Sequence, residues 1–210
     1  MTYFHEERNT EMIPIFFILF VIFLIIFNHA IHKDTMHQEE LERKFWQREQ
    51  EANHVRKKNI SNLPFIQLKK ELIPGNLHTE AEEKLLALCD KNMLNLTPYT
   101  NTDLKLLYGT GNLNELSVYE DLYVEMITQL SIYTKELLEA QDIPGARQLL
   151  EFAISCKEDS FFIYEQLGLL YASSNDTESL QKLLDSAESI TTVTKTGILT
   201  YLSNLLASLD

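Results

Sequence analysis

Residues 127–160, ITQLSIYTKELLEAQDIPGARQLLEFAISCKEDS, run directly into residues 161–194, FFIYEQLGLLYASSNDTESLQKLLDSAESITTVT, and both blocks are 34 residues long. Asp142, Leu149, Leu150, Ala153 and Ser155 of the first recur 34 positions later as Asp176, Leu183, Leu184, Ala187 and Ser189. Each block holds two apolar stretches at helical spacing, parted by a turn at 142–145 or 174–177. An Asp sits at the same place in both turns, where its carboxylate can cap the helix that follows. Two helices per block, stacked block on block, leave the last face open. Residues 195–210 bring Ile198, Tyr201, Leu202, Leu205 and Leu206 at helical spacing to close it as a capping helix.

Upstream, residues 79–126 read as the helical N-terminal part of the same domain. Thr79 with Glu82 forms a capping box that opens a helix reaching about Asn92, with Leu85, Leu86, Leu88 and Cys89 inward. Asn112 with Glu115 marks a second box and a long helix to about Gln141. That helix aligns Leu116, Tyr119, Tyr123, Met126, Leu130, Tyr133 and Leu137 on one face. Between the stalk described below and this domain, residues 59–78 contain Pro64, Pro74 and Gly75 and read as an extended linker. Its Leu63, Phe65, Ile66 and Leu68 are expected to dock on the domain.

Counted from Ile127 and Phe161, the second block carries Tyr164, Leu167, Gly168 and Tyr171 in its first helix, matched more loosely by Leu130, Tyr133, Thr134 and Leu137. The small or apolar places of the second helices are held by Ala146, Leu150 and Ala153, then by Leu180, Leu184 and Ala187. On these residues the chain resembles the tetratricopeptide-repeat (TPR) family over about a third of its length. Departures are Thr134 in place of Gly, Leu180 in place of a small residue, and no Pro at either block's end. Two ordinary helical hairpins would produce the same periodicity. The resemblance implies a concave face, lined by the first helix of each block, that grips an extended peptide or a partner helix. The corresponding positions are Ser131, Lys135, Glu165 and Leu169, with Phe162 at the entrance. Members that clamp a terminal carboxylate use Lys, Arg and Asn at such places, so Glu165 and Leu169 point away from that subtype. An acidic, partly apolar groove implies a basic or amphipathic segment as protein or peptide partner.

At the other end, residues 12–27 read MIPIFFILFVIFLIIF, and extension to residue 31 gives twenty residues. At roughly 1.5 Å per residue, twenty helical residues span the roughly 30 Å core of a bilayer. The expectation is a single-pass transmembrane helix at 12–31, with residues 1–11 outside. The leader is acidic and no small-residue cleavage site follows, unlike a signal peptide. Lys33, Arg43, Lys44, Arg48, Arg56, Lys57 and Lys58 follow the span and only Arg8 precedes it, which places the bulk of the chain on the cytoplasmic side of the cell membrane. Residues 32–58 form a charged helical stalk with Glu39–Arg43 and Glu40–Lys44 at favourable spacing. Leu41, Phe45, Arg48, Ala52 and Val55 keep a seam rhythm, but Arg48 interrupts it, and the stretch reads as solvated.

The chain's net charge of −13 is uneven: residues 76–210 alone carry eight Lys or Arg against twenty-one Asp or Glu. An acidic domain is the wrong sign for a phosphate backbone, so nucleic acid is not an expected partner. Cys89 and Cys156 form no CxxC pair. His29, His32 and His37 read as polar residues ending a membrane span, and neither a metal nor a cofactor site is expected. No Gly-rich phosphate loop or nucleophile elbow occurs. Residues 95–111, NLTPYTNTDLKLLYGTG, cluster Thr97, Tyr99, Thr100, Asn101, Thr102 and Asp103, either as helix caps or as a small site.

The expected architecture is therefore all-α, a transmembrane helix and charged stalk followed by a TPR-like solenoid, similar to membrane-tethered bacterial repeat proteins. The expected function is a non-catalytic protein-protein interaction scaffold. One alternative is an extracytoplasmic accessory subunit of a translocation or envelope complex with reversed topology. Another is an enzyme with its site in the 95–111 loop.

Overall fold

The computed structural model describes the backbone of residues 7–209 and the side chains of residues 17–27, 36 and 38–209. Among these, every regular element is a helix, eight α-helices and two single 3-10 turns, and the only β pairing is one antiparallel bridge, Ile66 to Met93. The chain divides into two compact units, Met1–His54 and Val55–Asp210.

The first unit is one helix, α1, Glu7–Asn53. The apolar run and the charged stretch are thus continuous, and the helix stops at Asn53, short of the expected 58. Side chains of 17–27 stand open to solvent, from Val21 at 37% to Phe17 at 66%. Farther along, Lys44 pairs with Glu40 at 2.7 Å, one helical turn back. Among the described residues no helix is long and apolar enough to cross a membrane. The side chains of residues 12–16 and 28–31, which complete the expected span, lie outside the described residues, as do His29, His32 and His37.

The second unit begins with a strap rather than a free tether. Ile66 and Met93 exchange both backbone hydrogen bonds, at 2.8 and 3.0 Å, and Leu68 is fully buried between them and the core. Gly109 makes this path possible on the far side. At φ +86° it takes a conformation that costs glycine little, and a Cβ there would meet the Arg56 carbonyl. Lys58 then donates its amide to the Tyr108 carbonyl at 3.0 Å.

Helix α2, Glu80–Leu88, starts at Thr79, whose hydroxyl accepts from the Glu82 amide at 3.4 Å. Glu82 does not return the bond to Thr79 as a capping box requires. Its carboxylate accepts instead from the amides of Leu77 and His78, at 2.9 and 3.1 Å, and from the Tyr133 hydroxyl at 2.8 Å. The helix also ends four residues before the expected Asn92, because Cys89 turns extended to feed the Ile66–Met93 bridge.

Helix α3, Asn101–Tyr108, carries a complete capping box at Thr100 and Asp103. Asn112, by contrast, makes no cap. A 3-10 turn over Thr110–Asn112 leads straight into α4, Leu113–Glu139, and turns the Asn112 carboxamide inward to donate to the carbonyls of Tyr108 and Lys58, at 2.7 and 2.8 Å. Of the expected α4 stripe, Leu116, Tyr123, Met126, Leu130, Tyr133 and Leu137 are buried, and Tyr119 is half-buried against Phe65. Each of the buried side chains contributes roughly 1.5–3 kcal/mol.

The two blocks fold in register. Gln141 and Asn175 both adopt positive φ, at 62° and 53°, and the next amide reaches back five residues, Asp142 to Leu137 at 2.8 Å and Asp176 to Tyr171 at 2.9 Å. Asp142 and Asp176 then cap α5, Ile143–Ser155, and α7, Thr177–Ala187, with the same backbone angles within a degree and the same 3.0 Å bond to Gly145 or Ser179. Helix α6, Phe161–Ser173, lies between them. Neighbours pack in chain order, α2 on α4, α4 on α5, α5 on α6 and α6 on α7, and α8, Lys195–Ala207, covers both α6 and α7. Leu202 and Leu205 of α8 close over Gly168, where a Cβ would stand 2.9 Å from Leu202 Cδ2.

Candidate functional site

Helices α4 and α6 each bury one stripe and leave the opposite one outward. Lys135 from α4 and Phe162 from α6 meet there, the ammonium 4.7 Å from the ring centroid, a contact worth about 0.5–1 kcal/mol when solvated. Ile132, Phe161 and Leu169 on the same two helices remain 40–43% exposed. Phe161 packs on Tyr201 of α8, whereas Ile132 and Leu169 are not among the side chains packed against the core.

The remaining sequence-expected positions separate. The Ser131 hydroxyl donates to the Ile127 carbonyl at 2.9 Å and is spent on its own helix. Glu165 is half-buried beside α8. The Tyr201 hydroxyl of α8 is pushed up by burial and then by the Glu165 charge. Tyr201 in turn packs edge-on against Phe161 at 5.5 Å. Lys135 and Glu165 are the charged members of the expected set, and only Lys135 meets Phe162.

The 95–111 loop is differently occupied. Thr100 and Asp103 bond each other, with the Thr100 hydroxyl donating to Asp103 Oδ2 at 2.6 Å. The Asn95 carboxamide donates to the Tyr123 hydroxyl and to the carbonyls of Cys156 and Lys157, at 3.0–3.2 Å, and so fastens the loop to the end of α5. Two cavities flank this fastening. One, of about 330 Å³, is lined mainly by apolar groups including Leu63, Leu94, Leu96 and Cys156. The other, of about 290 Å³, is lined by Glu158, Asp159, Tyr164 and the hydroxyls of residues 186–192. The Ser131, Lys135, Phe162, Glu165 and Leu169 set lines neither.

One carboxylate, Glu158, escaped the sequence reading, and a second, Glu82, was read only as a cap. Burial raises the proton affinity of Glu158 although Tyr123 donates to it at 2.6 Å. Glu82 is also buried, but Tyr133 and two amides outweigh that burial and hold it below the ordinary range. One signal was available for Glu158: its place one block later is Thr192, a break in the repeat where both blocks otherwise turn. The Cys156 thiol, buried at the same turn, is pushed up to about 11 by desolvation. No group of His, Cys, Asp or Glu that could hold a metal occurs among the described residues.

Fold and surface together define an all-helical protein of in-register helical hairpins with a partly apolar outer face. No protein-family model, curated protein or solved structure matches the chain.

Proposed function

We propose that the protein is a non-catalytic, TPR-like scaffold held at a cell membrane by α1, which binds a protein partner through the outer face of α4 and α6. The observation that carries the reading is the Lys135–Phe162 contact. It ties the first helices of both blocks into one surface on which Ile132 and Leu169 stay open. A basic or amphipathic segment, helical or extended, suits a partly apolar surface on an acidic domain. The anchor is supported by eleven consecutive apolar side chains at 17–27, none of them buried. The charge pattern supports a cytoplasmic second unit; with reversed topology the same surface would serve an envelope complex.

The test is a crosslinking pull-down of the full-length protein from its own membranes, beside a Lys135→Ala, Glu165→Ala, Leu169→Ala variant. Loss of one partner with folding intact supports the surface, and retention of every partner overturns it. Release of the protein from membranes by carbonate would overturn the anchor. Topology is read by labelling a Val193→Cys variant in intact and in permeabilised cells, since Val193 is 98% exposed.

A further inference from the structure

Between residues 38 and 48 every side chain of α1 is exposed, and the row includes Leu41 at 52% and Phe45 at 56%. Trp46 leans edge-on against Phe45 at 5.4 Å and enlarges the apolar patch. An isolated helix gains nothing from leaving such side chains in water, because helices in proteins draw most of their stability from packing an apolar face.

The spacing supplies a seam. Gln38, Leu41, Phe45 and Arg48 follow the 3, 4, 3 step of a left-handed two-stranded coiled coil, and the same count carried back passes Asp34 and Ile31 before it reaches Phe27, Leu24 and Phe20. These three are also open, at 44–56%. The flanks decide the orientation. With Phe45 and Leu41 on the seam, Lys44 falls on one flank and Glu42 and Glu49 on the other. In a parallel pair the first flank meets the partner's second flank five residues on, which sets Lys44 of each copy against Glu49 of the other. Arg48, the seam's polar end, lies beside that same Glu49. An antiparallel pair would instead bring Glu42 and Glu49 face to face.

We propose that α1 is the interface of a parallel homodimer, with Leu41 against Leu41, Phe45 against Phe45, and Lys44 of each copy paired with Glu49 of the other. Lys44 reaches Glu40 within its own helix, but that pair is solvent-exposed and worth little, so exchange to the second copy is cheap. The proposal is independent of whether α1 spans a bilayer.

The test uses the full-length protein in an excess of detergent micelles. Single cysteines are introduced as Leu41→Cys, Phe45→Cys or Arg43→Cys in a Cys89→Ser background, the buried Cys156 being left in place. Mild oxidation should link the first two variants into dimers and leave Arg43→Cys, on the opposite face, monomeric. Separately, Lys44→Glu or Glu49→Lys should each weaken dimerisation about fivefold by sedimentation, and the two together should restore it. Equal linking at 41 and 43, or a double variant no better than the singles, overturns the proposal.

Discussion

The Tyr133 hydroxyl, buried in the middle of α4, donates at 2.8 Å to the carboxylate of Glu82 in the first turn of α2, 51 residues earlier in the chain. That carboxylate also accepts the Leu77 and His78 amides, so one side chain joins the strap, α2 and α4. Removing a single donor leaves the acceptor otherwise satisfied, and Tyr133→Phe should cost about 1 kcal/mol. Glu82→Ala strands two amides and a buried hydroxyl, and should cost about 3 kcal/mol or more. Urea unfolding of both variants measures the difference.

Acid should affect buried Glu82 and half-buried Glu158 in opposite senses. Glu82 is held below its unfolded value near 4.5, so it binds fewer protons folded than unfolded. Its contribution is complete above about pH 4.5 and is lost as pH falls through the folded pKa. Glu158 is raised above its unfolded value, so its ionisation opposes folding at neutral pH, and that opposition fades as pH falls through the raised pKa. Stability relative to Glu82→Gln should therefore fall on acidification, and stability relative to Glu158→Gln should rise. Parallel denaturation series from neutral to acid pH would show both signs.

The matched caps should have matched worth. Asp142→Ala and Asp176→Ala each remove one 3.0 Å bond to an N3 amide, and each should cost about 1 kcal/mol. Asp142 also accepts from Asn76 at 3.0 Å, so any excess at that position measures the hold on the strap. Calorimetry of the two variants reads it directly.

Gly109→Ala sets a Cβ against the Arg56 carbonyl at a positive φ, a backbone clash that no side-chain rotation relieves. We expect a loss of about 1–3 kcal/mol. Hydrogen exchange should localise it, with the Lys58 amide losing protection before those of α4.

Thr134 is fully buried and its hydroxyl has no hydrogen-bond partner. Thr134→Val keeps the shape and removes the unsatisfied group, so stability should rise by about 1 kcal/mol. Thermal unfolding that shows a decrease would mean that the hydroxyl is engaged in solution.

The helical hairpins were legible because two signals agreed, the 34-residue recurrence and an Asp before each second helix. The α4 stripe was legible because seven apolar residues kept one period. Lys135 and Phe162 were found through family-like positions, and the structure brings them together. Asn112 was misread: Asn followed three residues later by Glu has the form of a cap, but the preceding 3-10 turn had already supplied the helical entry, leaving the carboxamide for the strap. Glu82 was read as the capping partner of Thr79, and only its tertiary neighbour Tyr133 shows where its carboxylate is spent. Glu158 was not singled out, because a carboxylate in an acidic sequence reads as solvent-facing until Tyr123 stands beside it. Glu165 was placed in the groove by the same family-like positions, which carry no information on α8.

Gly168 gives the stack a direction. Leu202 and Leu205 close on a position without a side chain, and the equivalent position in the earlier block is Thr134. Exchanging the order of the two blocks would keep every cap and every turn, yet would put a branched side chain where the final helix must seat. The blocks are therefore alike in plan but not interchangeable, and the chain carries, in one missing methyl group, the instruction for where its repetition ends.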